Sequence, residues 1–503
     1  MSAESVDVLI VGAGFSGLCM AIQLRKAGMD SFLVIEKGEE LGGTWWYNQY
    51  PGCACDIPSH LYSFSFARNP DWSRKYSGQR EILEYLRATA KRFGVADRIR
   101  LRTSLHEATW DEQRGVWHAV TGNGTRIEAR VLVSGVGALH VPKNPDLPGL
   151  DRFIGPAFHS AEWNSAVDLQ NKDVAVIGTG ASAAQIVPSI AGRARKLYVF
   201  QRTPAWVLPR PDGPISQSWR RLYRTIPGLT RVVRTLIFLR IEMFVFGFLG
   251  NRRMHALASK QARKHLEKQI TDPQLRARLT PDYEFGCKRV LISSEFYPAL
   301  TRPNVELVTS GILEVRERSI VTEDGAERPL NALIFATGFR VTEMLRGIRI
   351  VGRGGIEIHE TWRDRISAYL GITVSGFPNF FMLLGPNTGL GHNSVLLMIE
   401  AQVRYVMSCL RLMRKRGEPV MDVRPEVQQR FVEELRSRLP QTVWESGCRS
   451  WYQDARTGES AATWPGSVVA YRRRTRAAHA EDYVFSGARS ATPLSEPAQA
   501  PTA

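Results

Sequence analysis

The sequence predicts an α/β fold with two doubly wound domains and a helical insertion, and three features predict it. A short apolar run at 8–11 passes directly into Gly12-Ala13-Gly14-Phe15-Ser16-Gly17. The same pattern returns about one domain later, where the run at 173–177 passes into Gly178-Thr179-Gly180-Ala181-Ser182-Ala183. Within the second unit, residues 211–283 form an arginine-rich stretch with helical patterning and no strand signal. Short apolar runs closed by glycine read as buried parallel strands, and apolar residues three or four apart after each loop read as a helix.

In the first loop Gly12 permits a tight turn, Gly14 lets the backbone approach a pyrophosphate, and Gly17 lets helix and strand pack closely. The helix that opens at Phe15 and Ser16 directs its N-terminus at the anion. Leu18, Ile22 and Leu24 form its apolar face, it closes near Gly28, and a second strand at 31–35 ends at Glu36, followed by Lys37. A carboxylate at that strand end accepts hydrogen bonds from ribose hydroxyls, so this is a Rossmann-like dinucleotide unit. In the second loop Ala183 takes the place of a third glycine, an accepted variant. Its second strand, 196–200, ends in Gln201-Arg202-Thr203 with no acidic residue. A carboxylate there would repel a 2′-phosphate, whereas Arg202 binds one, which favours NADPH over NADH. Two loops with different ribose readers imply two different dinucleotides.

Composition narrows the function classes. The 503 residues are 44% hydrophobic and 23% charged, the balance of a soluble globular chain. Lys and Arg number 66 against 49 Asp and Glu, a formal net charge of +17. That excess suits an anionic dinucleotide or an anionic membrane surface. The arginines are scattered and no nucleic-acid module appears, so nucleic acid is excluded as a partner. Cys19, Cys53, Cys55, Cys287, Cys409 and Cys448 include no Cys-x-x-Cys pair, and no histidine cluster has metal spacing. No metal is expected, and the cysteines read as reduced thiols of a cytoplasmic protein. The N-terminus lacks the basic and apolar regions of a signal peptide. Residues 236–250 are strongly apolar but carry Arg240 and Glu242, whereas a spanning helix needs roughly 20 largely uncharged residues. A buried or amphipathic helix is expected. Weak contact of 229–253 with a membrane surface is the sharper alternative, because Arg231, Arg234, Arg252 and Arg253 flank the segment.

The expected organisation is a split first domain (1–142 and 376–485), a second domain between its halves (143–210 and 284–375), the insertion at 211–283, and a disordered tail at 486–503. The proline-rich stretch 142–148 marks the crossing. A buried strand at 330–335 is followed by Ala336-Thr337-Gly338-Phe339. Later, Gly385-Pro386-Asn387-Thr388-Gly389 precedes an apolar helix through Leu410. A monomer or a homodimer is expected.

Between the two loops stands Phe153-x-Gly155-x-x-x-His159-x-x-x-Trp163. Together with the loops it resembles the Baeyer–Villiger monooxygenases, flavoenzymes that insert one oxygen atom of O2 beside a ketone or aldehyde carbonyl. The resemblance spans nearly the whole chain. It implies FAD in the first unit and NADPH in the second. The segment Gly42-Gly43-Thr44-Trp45-Trp46-Tyr47, running on to Asp56, looks like the family's flavin cover. That implies Thr44 and Trp45 at the cofactor's border, with Asp56 and Tyr62 facing the isoalloxazine. Asp56 lies between Cys55 and Ile57, and a buried carboxylate needs a partner. Arg289, in Cys287-Lys288-Arg289, is the partner proposed; the resemblance places that arginine near the flavin and Lys288 at the 2′-phosphate. Reduced flavin and O2 give a C4a-peroxide, which must stay deprotonated to attack a carbonyl. A guanidinium stays charged at any working pH and stabilises both that anion and the tetrahedral oxyanion that follows. His159 is expected to couple the domains, Asn387 to close the flavin domain, and Trp451, Tyr452 and Trp464 to border the substrate side. Asn164 departs from the Pro or Asp usual after the tryptophan and leaves the subgroup open. Disulfide reduction is excluded because Cys53-Ala54-Cys55 has the wrong spacing. Two alternatives stand: a related S- or N-oxygenating monooxygenase, and a non-enzymatic FAD- and NADPH-binding protein.

Overall fold

Glu4–Val11 is buried over its last five residues, as its apolar run requires, and it lies inside an eight-stranded sheet. The computed structural model describes residues 4–487. The strand order is Arg349–Val351, Leu105–Asp111, Val116–Thr121, Arg126–Ser134, Glu4–Val11, Phe32–Ile35, Ile99–Arg100. Phe380–Met382 runs parallel to the second half of Arg126–Ser134. Glu4–Val11 pairs in parallel with both neighbours, in register Val8 to Phe32 and Val8 to Val131. The three strands from Leu105 to Ser134 form an antiparallel meander that the sequence reading does not anticipate. The helix Phe15–Lys26 is buried almost all round, because it lies between this sheet and the helix Val395–Arg416.

A second sheet of five parallel strands runs Val305–Val308, Lys196–Phe200, Asp173–Ile177, Ala332–Phe335, Ala157–His159. An antiparallel trio, Ile312–Arg316, Ser319–Thr322 and Glu327–Pro329, follows it. The insertion is helical: Gln217–Thr225, Leu229–Glu242, Val245–Phe248, Arg252–Gln269 and Pro273–Leu279. Its two ends are drawn together where Val207–Leu208 pairs with Leu291–Ile292. Asn251 and Asp272 cap the last two helices with side-chain oxygens, which explains their sharp starts.

Three expectations change. Arg349–Val351 pairs with Leu105–Asp111 in the first sheet, so the chain returns there well before residue 376. Ser486, expected in the tail, ends the strand Tyr483–Ser486 against Val420–Val423; the rest of that tail, from 488, lies outside the described residues. Arg234 does not face outward. It is buried and its Nη1 donates to the carbonyls of His60 (3.2 Å), Leu61 (2.7 Å) and Ser63 (2.7 Å), which offsets part of the cost of burying a charge. Among the described residues no helix is long and apolar enough to cross a membrane.

Candidate active site

The first loop sits at the C-terminal edge of its sheet. Gly12 has φ +99°, and a Cβ there would lie 2.7 Å from the Gly135 carbonyl oxygen, so only glycine fits this turn. Glu36 is buried; its carboxylate accepts from Ala13 N (2.8 Å), Gly38 N (2.8 Å) and the Tyr47 hydroxyl (3.0 Å). It therefore builds the loop and keeps one acceptor site, on Oε2, for a ribose. The Lys37 ammonium lies over the Tyr47 ring, 5.3 Å from its centroid. Thr44 opens a single helical turn, Thr44–Tyr47. Trp45 Nε1 donates to the Tyr62 hydroxyl at 3.1 Å, and the Phe15 ring meets Tyr62 edge-on at 5.3 Å. Three separate segments thus form one aromatic wall beside the loop. Burial pushes the Tyr62 phenol up, so it stays neutral.

Arg289 Nη2 donates to Asp56 Oδ2 at 2.5 Å across 233 residues of sequence. The side chains retain 30% and 27% of their surface, so the pair is packed in protein yet partly open. Burial acts against the Asp56 charge, but the Arg289 guanidinium outweighs it and holds the carboxyl below its usual range. Arg289 is in turn raised by Asp56. Both groups are charged throughout the working pH range. Tyr452 is buried, and its hydroxyl lies within reach of the Arg289 side chain. Burial raises its phenol, and the charge of Arg289 opposes that rise, which places the hydroxyl in that cation's field. Arg210, which the sequence reading missed, donates to the carbonyls of Cys55 and Tyr76, both at 3.3 Å, and adds positive charge beside Asp56. Phe248, Val443, Trp444 and Tyr452 pack as one apolar cluster, with Val290 against it.

In the second unit Gly178 turns with φ +109°, and a Cβ on Gly180 would meet nothing within 4 Å, leaving the backbone of 180–182 open to a ligand. The helix Ala183–Ile190 follows, and Thr179 Oγ1 donates to the Thr203 carbonyl at 3.2 Å, fixing the loop to the end of the second strand. Arg202 is exposed there. Burial and then the charge of Arg202 push Lys288 down. Two cations held close form an anion site, with Asp282 the opposing charge near Lys288. Lys288 also lies 4.7 Å from the Tyr283 ring centroid. The join to the first unit is made by Gln185, also missed from sequence. It accepts from the Tyr50 hydroxyl (3.0 Å) and Ala54 N (3.3 Å), and donates to the Ala54 carbonyl (2.9 Å). Gly52 permits this contact, since a Cβ there would lie 2.2 Å from Ser189 Oγ. Asp56 is thus two residues from a segment that the second unit grips.

The 153–163 segment lies elsewhere. Ala157–His159 is the edge strand of the second sheet, pairing Phe335 with His159. His159 Nδ1 accepts from Ala161 N at 3.1 Å, and burial pushes the imidazole down, so it is a neutral cap rather than a proton carrier. Its ring meets Phe339 at 5.5 Å and Phe158 meets Trp163 at 5.2 Å. A Cβ on Gly155 would clash with the Phe153 ring at 2.7 Å. Asn387 uses its amide donors on the Ser460 (2.8 Å) and Thr463 (3.3 Å) carbonyls. Its backbone N–H also donates to the Ala461 carbonyl at 2.8 Å, so its first role is to hold the loop at 460–464, and only its Oδ1 and carbonyl remain for a cofactor. Beside it, buried Glu242 of the insertion accepts from Asn393 Nδ2 (2.7 Å) and Val469 N (3.2 Å), with His392 Nε2 at 3.3 Å.

The reduced-thiol reading is overturned for two cysteines. Cys287 and Cys448 form a disulfide, with Cα atoms 6.2 Å apart and a sequence separation of 161. It fastens the segment carrying Lys288 and Arg289 to the loop carrying Tyr452. Spacing in sequence gives no sign of so long a link. Cys19, Cys53, Cys55 and Cys409 are free. Among the described residues no group of His, Cys, Asp or Glu is placed to hold a metal.

Two glycine loops, an aromatic wall and a charged Arg–Asp pair define a two-dinucleotide oxidoreductase site. A family model described as flavin-binding monooxygenase-like matches residues 5–344, and the chain belongs to that family. A Baeyer-Villiger monooxygenase of Streptomyces coelicolor is 45% identical over 482 residues, 95% of this chain and 92% of that protein. Another, of Pseudomonas aeruginosa, is 43% identical, with 96% and 92% covered. Among solved structures, a closed cyclohexanone monooxygenase matches with TM-score 0.88 at 28% identity, covering 97% of this chain and all of that one. A structure of OTEMO in complex with FAD and NADP matches with TM-score 0.86 at 29% identity, over 96% of this chain and 100% of that one.

Proposed function

We propose that this protein is an NADPH- and O2-dependent Baeyer–Villiger monooxygenase that converts a ketone or aldehyde into an ester or lactone. The observation that carries the reading is the Arg289–Asp56 pair, charged, partly open and beside an aromatic wall. FAD and NADPH suit the residues present: a tight first loop with a buried ribose acceptor, and an open second loop with Arg202 and Lys288 as cations. When bound, FAD takes electrons from NADPH and supplies activated oxygen. Gly12, Gly14, Phe15, Ser16, Gly17, Glu36, Lys37, Thr44, Trp45 and Tyr62 would hold it. Gly178, Thr179, Gly180, Ala181, Ser182, Ala183, Arg202, Thr203 and Lys288 would hold NADPH.

Arg289 supplies a permanent positive charge where negative charge collects on oxygen as a carbonyl is attacked, and preorganised charge of this kind is worth most where water is scarce. Asp56 fixes the guanidinium's direction without neutralising its remaining donors. The apolar cluster of Phe248, Trp444 and Tyr452 excludes water and holds an apolar substrate. Gln185 transmits the position of the second unit to the segment before Asp56. We place the reaction in the cytoplasm, where NADPH is supplied; burial of Cys287 there shields the disulfide from reductants.

A panel of ketones with a thioether added, scored by NADPH consumption and product mass, tests the reading. Esters or lactones are expected. Sulfoxide alone would favour heteroatom oxygenation, and no substrate-stimulated NADPH oxidation would favour a binding protein.

A further inference from the structure

The insertion carries a surface that the oxygenation chemistry does not use. Leu229–Glu242 and Val245–Phe248 follow one another with only two residues between. One side is turned into the protein: Arg234, Glu242, Val245 and Phe248 are buried. The other side exposes Val232, Leu236, Leu239, Met243 and Phe246, each between 48% and 61%. Their spacing alternates four and three, and Met243 and Phe244 between the two helices keep right-handed helical backbone angles, so the line runs on from the first helix toward the second. An apolar line of this length left to water marks an interaction surface.

Charge identifies its partner. At about 100° per residue, Arg231 and Arg240 fall on either side of the line. Arg252 and Arg253 stand just beyond its end. All four are exposed, and none forms an ion pair among the described residues. Between 217 and 264 there are eleven Lys and Arg and one acid, Glu242, which is buried. A second copy docking here would bring the two sets of arginines together with no carboxylate to separate them. An apolar line bordered by unpaired cations instead matches the boundary of an anionic lipid layer, where acyl chains take the apolar residues and headgroups take the guanidiniums.

We propose that this face docks reversibly on an anionic phospholipid surface, with the helix lying in the plane of the headgroups. The docking itself does not depend on the Baeyer–Villiger reading; only the turnover control does, and flavin reduction by NADPH replaces it if no ketone is converted. The test uses the full-length, cofactor-loaded enzyme sedimented with vesicles of phosphatidylcholine alone or of phosphatidylcholine and phosphatidylglycerol in equal parts. Binding is expected only with phosphatidylglycerol and is expected to fall as salt is raised. Leu236→Glu with Met243→Glu should weaken it at least tenfold, as should Arg231→Ala with Arg240→Ala, while turnover of a water-soluble ketone is unchanged. Equal binding to both vesicles, or binding untouched by either double variant, overturns the proposal. So does a dimer in light scattering, without vesicles, that the Leu236 and Met243 substitutions dissolve, because the occupant would then be a second copy.

Discussion

Arg289→Ala should separate the reductive half of the reaction from oxygen transfer. The side chain holds Asp56 at 2.5 Å and keeps 30% of its surface exposed, so on the proposed reading its removal deletes the positive charge nearest the developing oxyanion. Loss of one such stabilising group costs roughly 10²–10³ in rate, about 3–4 kcal/mol. Arg210 also lies near Asp56, but its guanidinium is held by the Cys55 and Tyr76 carbonyls and cannot take over. The variant also leaves Asp56 charged without its partner, which costs about 3–5 kcal/mol in a fully buried site and less where a quarter of the side chain is open. Adding Asp56→Ala should therefore recover stability without recovering activity. Anaerobic bleaching of the flavin by NADPH in a stopped-flow instrument reads the first half, and ester formed per NADPH reads the second. The expected result is near-normal bleaching with ester formation lowered at least a hundredfold. Ester formation within a small factor of the parent enzyme would refute the reasoning.

Four further outcomes are expected. Arg202→Ala and Lys288→Ala should each raise KM for NADPH about 10–100-fold and leave KM for NADH unchanged, since a charge-assisted bond to phosphate is worth roughly 1.5–3 kcal/mol; equal effects on both nucleotides would remove the 2′-phosphate assignment. Gln185→Ala removes three contacts between the units and should lower the share of NADPH oxidation that yields product, read as peroxide released; unchanged coupling speaks against the join. Removing the Cys287–Cys448 link, which closes a 161-residue separation, should cost about 3–5 kcal/mol, seen as a lower Tm for Cys287→Ser with Cys448→Ser; an unchanged Tm would contradict it. Burial raises Asp422 to about 6, against the opposing charge of Arg353. A carboxyl raised in the folded state contributes stability that is full below its unfolded value and lost as pH rises through the folded one, here on the order of 2–3 kcal/mol. The Tm of Asp422→Asn should therefore improve relative to the parent between pH 4 and 7, and a constant difference over that range would contradict the assignment.

The two nucleotide loops were legible because their chemistry is local: strand, glycine turn and helix follow within one short stretch, and Glu36 lies at the next strand end. The pairing of Asp56 with Arg289 was approachable because a carboxylate between Cys55 and Ile57 needs a cation, and one arginine stood in the right sequence context. What stayed hidden depends on contacts between distant segments. Gln185 is an ordinary helix residue until Gly52 lets the 50–56 segment approach it. Arg234 reads as a surface cation until its helix packs on the 60–63 carbonyls. The short strand Arg349–Val351 gains its place only from pairing with Leu105–Asp111. Asn387 and the Cys287–Cys448 link show the same limit, since neither an amide's acceptors nor a disulfide's partner is written in spacing.

Isotope labelling tests the central claim most directly. Turnover of a cyclic ketone under 18O2 with NADPH should give a lactone carrying one labelled atom at the ring oxygen, with the carbonyl oxygen unlabelled. A lactone without label, or NADPH consumed with labelled peroxide and no lactone from any ketone, would contradict the account.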